Sequence, residues 1–184
     1  MPRLPEKPDF AAIEAAAPKG ASRRMAILTL IGNLVYCWSN NESLFIYILM
    51  LLMESDEPSA AVVFGTLNTT RARIDLIERL AKIKVRDKSI EKKLDDIVER
   101  FNDTTRIRNE FNHCMYVVDD HGEITHTNHM RVQEVKGRLQ LGTVRPMDDA
   151  RLREMQETVI AMTRLNRDIW DFLGVLQKHL GKPR

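Results

Sequence analysis

The segment Arg108-Asn109-Glu110-Phe111-Asn112-His113 concentrates the side chains of this chain that suit phosphate chemistry. An imidazole titrates near neutral pH, so His113 can act as general base or general acid. The planar guanidinium of Arg108 can hold two phosphate oxygens in a fixed fork. Asn109 stands one helical turn before His113 on the same face, where its amide can orient the imidazole or meet the phosphate. On an ideal helix Arg108 and His113 project about 140° apart. A shared cleft therefore needs the long Arg arm, a distorted helix end or a second protomer.

A long helix over residues 88–115 must carry these groups, started by Asp87 or Ser89. With Ile90 set at zero, Leu94, Ile97, Phe101, Thr104 and Met115 all fall within about 40° of it. Arg108 and Asn112 fall inside this apolar stripe, and Asn102, Arg106, Asn109 and His113 lie opposite. A buried Arg is costly unless paired, so either the helix end lines a cleft or Arg108 has a carboxylate partner. Glu42 is a second candidate. It opens a very apolar helix beside Asn40 and Asn41, where it can pair with Arg108, tune His113 or simply cap the helix.

Arg, a polar residue, three further residues and His, set late in a long helix of an all-α chain, resembles the motif of the HEPN family. In loose form the likeness extends over residues 22–180. It implies a fold: an all-α, up-and-down bundle of four to five helices, here with a small β-hairpin inserted before the last helix. It also implies an activity, metal-independent endoribonuclease action of the toxin or defence type. Attack by the RNA 2′-hydroxyl would take place at a site formed across a homodimer. Carried onto this chain, the resemblance makes Arg108 and His113 catalytic, with Asn109 as the intervening polar residue. Asn112 and Glu42 are supporting candidates. The implied partners are RNA, a second copy of the chain and an antitoxin protein, with no cofactor. A noncatalytic interaction or nucleotide-sensing module of the same fold is the alternative.

Composition limits the other classes. The 184 residues suit about one domain, and 28 Lys plus Arg against 26 Asp plus Glu leave a formal charge of +2. A strongly basic nucleic-acid domain is thereby excluded, so any nucleic-acid contact must come from a local site. Residues 71–108 are locally basic at +4, which a solvated helical face explains better than a phosphate track. The 2 cysteines cannot build a disulfide framework, which points to a cytoplasmic protein, and Cys37 and Cys114 read as small core residues. His121, His126 and His129 near His113 and Cys114 match no closed zinc spacing, so no metal site is expected. There is no Walker loop, dinucleotide fingerprint or nucleophile elbow.

The apolar runs 26–38 and 44–53 are too short for a bilayer span, which takes roughly 20 residues. They read as two helices, one capped by Ser22 and one by Asn40 or Asn41. Residues 1–21 form a Pro-rich arm ahead of one domain over 22–184. Ser55-Asp56-Glu57-Pro58 reads as a turn, Ser59–Phe64 as a short apolar segment and Thr66–Lys84 as a helix. Tyr116–Val118 and Glu123–Thr127 alternate as a hairpin around Gly122, within an insertion over about 116–145. The last helix starts at Asp148 or Asp149, with apolar residues spaced three and four apart.

Overall fold

The computed structural model describes residues 23–119, 123–135 and 137–181. The N-terminal arm, the Ser22 cap and the hairpin turn at Gly122 lie outside these residues.

The first helix, α1, runs unbroken over Arg23–Met53 for 31 residues. The expected break at Ser39–Ser43 does not occur, because Asn41 does not cap a helix. Its side chain is fully buried. It donates to the Met162 carbonyl at 2.9 Å and accepts from the Asn166 amide at 2.7 Å. A buried amide satisfied on a neighbouring helix has no reason to bend its own backbone. Beyond it, Leu44, Phe45, Ile48, Leu49, Met50, Leu51 and Leu52 are all buried, and Ile46, Tyr47 and Met53 are partly so. An all-round apolar run marks such a central helix.

Ser59–Phe64 belongs to a helix, α2 (Glu57–Thr66), in place of the expected turn and short segment. Asp56 caps it by accepting from the Ser59 N–H at 2.8 Å, and Pro58 fits its first turn, where a missing N–H costs nothing. Thr69 caps α3 (Thr70–Lys84) and Asp87 caps α4 (Lys88–Asn112) in the same manner. The last helix, α5 (Asp149–Leu180), is capped by Asp148. Helices α1 and α5 form the main packing pair, and α2, α3 and α4 lie against α1. The core holds Phe45, Ile77, Phe101, Met155, Met162 and Leu173, each fully buried. Burying one such side chain contributes about 1.5–3 kcal/mol.

Between α4 and α5 the chain forms a three-stranded antiparallel sheet, larger than the hairpin expected from sequence. Its strands are β1 (Cys114–Val118), β2 (Ile124–Val135) and β3 (Arg138–Pro146), with β2 central. A bulge interrupts the β2–β3 register between His129 and Val132. Opposite it stands Gly142 at φ +75°, where an added Cβ would come within 2.6 Å of Asn128 Oδ1. Only glycine fits there, and the bend aims His129 at the end of α4.

Candidate functional site

The apolar stripe of α4 holds through Ile90, Leu94, Ile97, Phe101 and Thr104, all buried. It then drifts to Phe111. The helix ends at Asn112, and Met115 lies on β1 with its side chain half exposed rather than on the stripe as expected. Arg108 is therefore half-buried at the rim of the core, while Asn109, Asn112 and His113 are exposed.

An aromatic column supports Arg108. Phe45 packs on Phe101 with centroids 4.9 Å apart, and Phe101 stacks on Trp38 at 5.8 Å. The Arg108 guanidinium carbon lies 4.0 Å from the centroid of the Trp38 ring. Trp38 Nε1–H donates to Thr105 Oγ1 at 2.8 Å, which fixes the ring on α4.

Two amides hold the edges of the guanidinium. Arg108 Nη1 donates to Asn109 Oδ1 at 2.8 Å. Asn112, with its amide oriented to satisfy this network, accepts from Nε at 3.0 Å and from Nη2 at 3.2 Å. A guanidinium has five N–H groups. Among the described residues three are engaged, so one on Nη1 and one on Nη2 remain for another acceptor. Among the described residues no carboxylate lies within ion-pair distance of Arg108. Burial lowers its pKa and the field of Glu42 raises it, and an Arg stays cationic throughout.

Glu42 does not pair with Arg108. Its carboxylate accepts from Arg73 at 3.0 Å and from the Thr70 hydroxyl at 2.6 Å. It is neither a cap nor a ligand of His113, since α1 passes straight through this position. Instead it ties α1 to α3. Arg73 also donates to the Phe64 and Leu67 carbonyls, fastening the end of α2.

His113 is the C-cap of α4, and its backbone N–H reaches the Asn109 carbonyl at 3.1 Å. Among the described residues its imidazole makes no hydrogen bond or ion pair. The Asn109 amide oxygen serves Arg108 rather than the imidazole. One chain thus brings Arg108, Asn109 and Asn112 into one network and leaves His113 beside it.

Sequence reasoning missed the groups on the other flank. Glu110 Oε1 meets Arg151, Arg145 at 2.9 Å and His129 at 3.3 Å. The Arg151 side chain is 6% exposed, also pairs with Glu154 and lies over Phe111 at 4.4 Å. This cluster locks the last turn of α4 to β2, β3 and the first turn of α5. One signal for it was present. Arg151 stands in a helical first turn, where the dipole disfavours a cation unless acids surround it. The Tyr116 hydroxyl and the Cys114 thiol both donate to the Phe111 carbonyl, at 2.7 Å and 3.4 Å, and occupy an orphan acceptor of the helix end. Burial raises the pKa of both groups, so the thiol is a packing and capping group rather than a nucleophile.

The remaining histidines do not gather. His126 Nδ1 sits 2.9 Å from the Thr125 hydroxyl, and His129 faces Glu110. His121 lies outside the described residues.

The fold defines a helical bundle carrying a three-stranded sheet inserted before its last helix. Compared with known proteins, the chain matches no family model, no curated protein and no solved structure. No helix among the described residues is long and apolar enough to cross a membrane. Chemically, the site offers a preset guanidinium that, among the described residues, has no ion pair and two free donors, bracketed by two amides and one turn away from an exposed imidazole.

Proposed function

We propose that this chain is a metal-independent endoribonuclease of HEPN type, toxin- or defence-like, acting in the cytoplasm. One observation carries the reading: Arg108 is stacked, clamped by two amides and, among the described residues, free of any carboxylate, with one donor each on Nη1 and Nη2 to spare. A cation so prepared suits an external anion, and a phosphodiester offers the two oxygens that its donors match. In this role Arg108 stabilises charge on the scissile phosphate. His113 removes the proton from the 2′-hydroxyl or protonates the leaving oxygen. Asn109 and Asn112 hold the guanidinium.

On an ideal helix Arg108 and His113 project about 140° apart, so in this reading the active centre is completed across a homodimer. Two-fold pairing of α4 ends supplies Arg108 from one protomer and His113 from its partner. An antitoxin would act by covering this groove.

The test is incubation of purified protein with mixed RNA in EDTA, wild type beside His113→Ala. Cleavage by the wild type alone, leaving 2′,3′-cyclic phosphate ends, is the expected result. Equal cleavage by His113→Ala overturns the assignment. The second reading, a noncatalytic nucleotide- or protein-binding module, is favoured by the His113 imidazole, which has no partner among the described residues. It gains if folded wild type binds RNA or a nucleotide but cleaves nothing.

A further inference from the structure

We infer that Trp38 is a positioning residue, whose indole face presets the Arg108 guanidinium for an incoming phosphate. The inference rests on reading Arg108 as the phosphate contact.

Phe101 and Arg108 lie seven residues apart on α4, about 10.5 Å of helix rise. The indole fits between them, with Phe101 stacked at 5.8 Å and Arg108 at 4.0 Å. Thr105, midway on the same face, takes the indole N–H. Trp38 is only 6% exposed, so the ring cannot swing away without opening the core. Its face excludes water from one side of the guanidinium and leaves the in-plane N–H groups as the route to an acceptor. A long side chain that would otherwise sample many rotamers is held flat before the ligand arrives, which lowers the ordering cost of binding. The ring also separates two roles within α4. Phe101 anchors the helix in the core, and Arg108 serves the surface.

The test uses the full chain with Trp38→Phe, Trp38→Leu and Thr105→Val, each checked for folding by circular dichroism. Trp38→Phe keeps an aromatic face and loses the N–H. Trp38→Leu loses both, and Thr105→Val removes the acceptor of the indole N–H together with the hydroxyl's own bond to the Phe101 carbonyl. Cleavage of a fluorogenic RNA in EDTA gives kcat and KM. The Arg108 Nε–H resonance, identified by its loss in Arg108→Lys, reports the stack directly. We expect this resonance to be shifted upfield by the ring in the wild type, Trp38→Phe and Thr105→Val, and to return to an ordinary position in Trp38→Leu. Folded Trp38→Leu is expected to lose about a hundredfold in kcat/KM, as misplaced catalytic groups do, while Trp38→Phe and Thr105→Val retain most of it. Equal kcat/KM in folded Trp38→Leu and wild type overturns the inference, and so does a loss in Thr105→Val as deep as in Trp38→Leu.

If the wild type cleaves no RNA, the nuclease reading fails separately, and an uncleavable 2′-deoxy oligonucleotide then decides the role of Trp38. Perturbation of the Arg108 resonance by this probe in the wild type and Trp38→Phe, but not in Trp38→Leu, supports the positioning role. The same response in all three, or in none, overturns it.

Discussion

The guanidinium carbon of Arg108 lies 4.0 Å from the ring centroid of Trp38, and no carboxylate among the described residues closes an ion pair with it. Little stability depends on that contact, because a partly exposed cation–π pair is worth about 0.5–2 kcal/mol. Arg108→Ala is therefore expected to lower unfolding free energy by about 1 kcal/mol in a urea titration and to abolish RNA cleavage. Arg108→Lys keeps the charge without the fork and is expected to stay far below wild-type activity. A lysine variant as active as the wild type would mean that charge alone suffices.

Glu110 and Arg151 make the opposite case, since their pairing is structural. Removing the acid leaves the buried Arg151 guanidinium with Nη2 unmatched and Glu154 still on Nη1. Glu110→Ala is expected to cost about 3–5 kcal/mol in chemical denaturation. Adding Arg151→Met, which removes the stranded charge and still packs on Phe111, should recover a large part of that loss. If the double variant is no more stable than Glu110→Ala, the penalty does not come from the uncompensated charge.

Two glycines with positive φ give a controlled comparison. Gly137 has φ +74° and open space around its missing Cβ, whereas a Cβ on Gly142, at φ +75°, would come within 2.6 Å of Asn128 Oδ1 and 2.7 Å of the His129 carbonyl oxygen. Gly137→Ala carries only the left-handed backbone cost of about 1 kcal/mol. Gly142→Ala adds a steric clash that must shift β2, so its melting temperature should fall further and the amide signals of Asn128 and His129 should move. Equal melting temperatures would show that the bulge yields freely.

The helix caps set an acid limit. Hydrogen bonds from Ser59 and Ser89 hold the Asp56 and Asp87 carboxyls below the usual carboxylate range. A carboxyl whose folded pKa is depressed contributes stability that is complete above its unfolded value, about 3.9. That contribution is lost as pH falls through the folded pKa. Asp149, beside Arg23, behaves alike. The melting temperature of Asp56→Ala/Asp87→Ala should therefore fall less steeply below about pH 4 than that of the wild type. Parallel curves would mean that the caps carry no proton linkage.

Much of the architecture was legible in the chain because it follows from local rules. The stripe Ile90, Leu94, Ile97, Phe101 and Thr104 specified α4, and the helix starts were legible to within a residue or two, as Asp87 or Ser89 and Asp148 or Asp149, of which Asp87 and Asp148 are the caps. Arg108 stood out because a cation occupied a position that the pattern reserves for core. The absence of a break at Asn40 and Asn41 was not legible. An Asn beside an apolar run reads as a cap until its partner is known, and the partners of Asn41 are Met162 and Asn166 on the far helix. Glu42 shows the same limit, since its cation proved to be Arg73 rather than Arg108.

Sequence alone thus determined which residue types stand on which helical face, because side-chain direction follows the backbone period. Tertiary structure decided which charges meet. Arg73 took Glu42, and Arg151, Arg145 and His129 gathered on Glu110. Arg108 was left to Trp38 and two amides. The physical reason is that ion pairing reaches across elements distant in the chain and depends on a few ångströms of approach, which only the packed bundle sets.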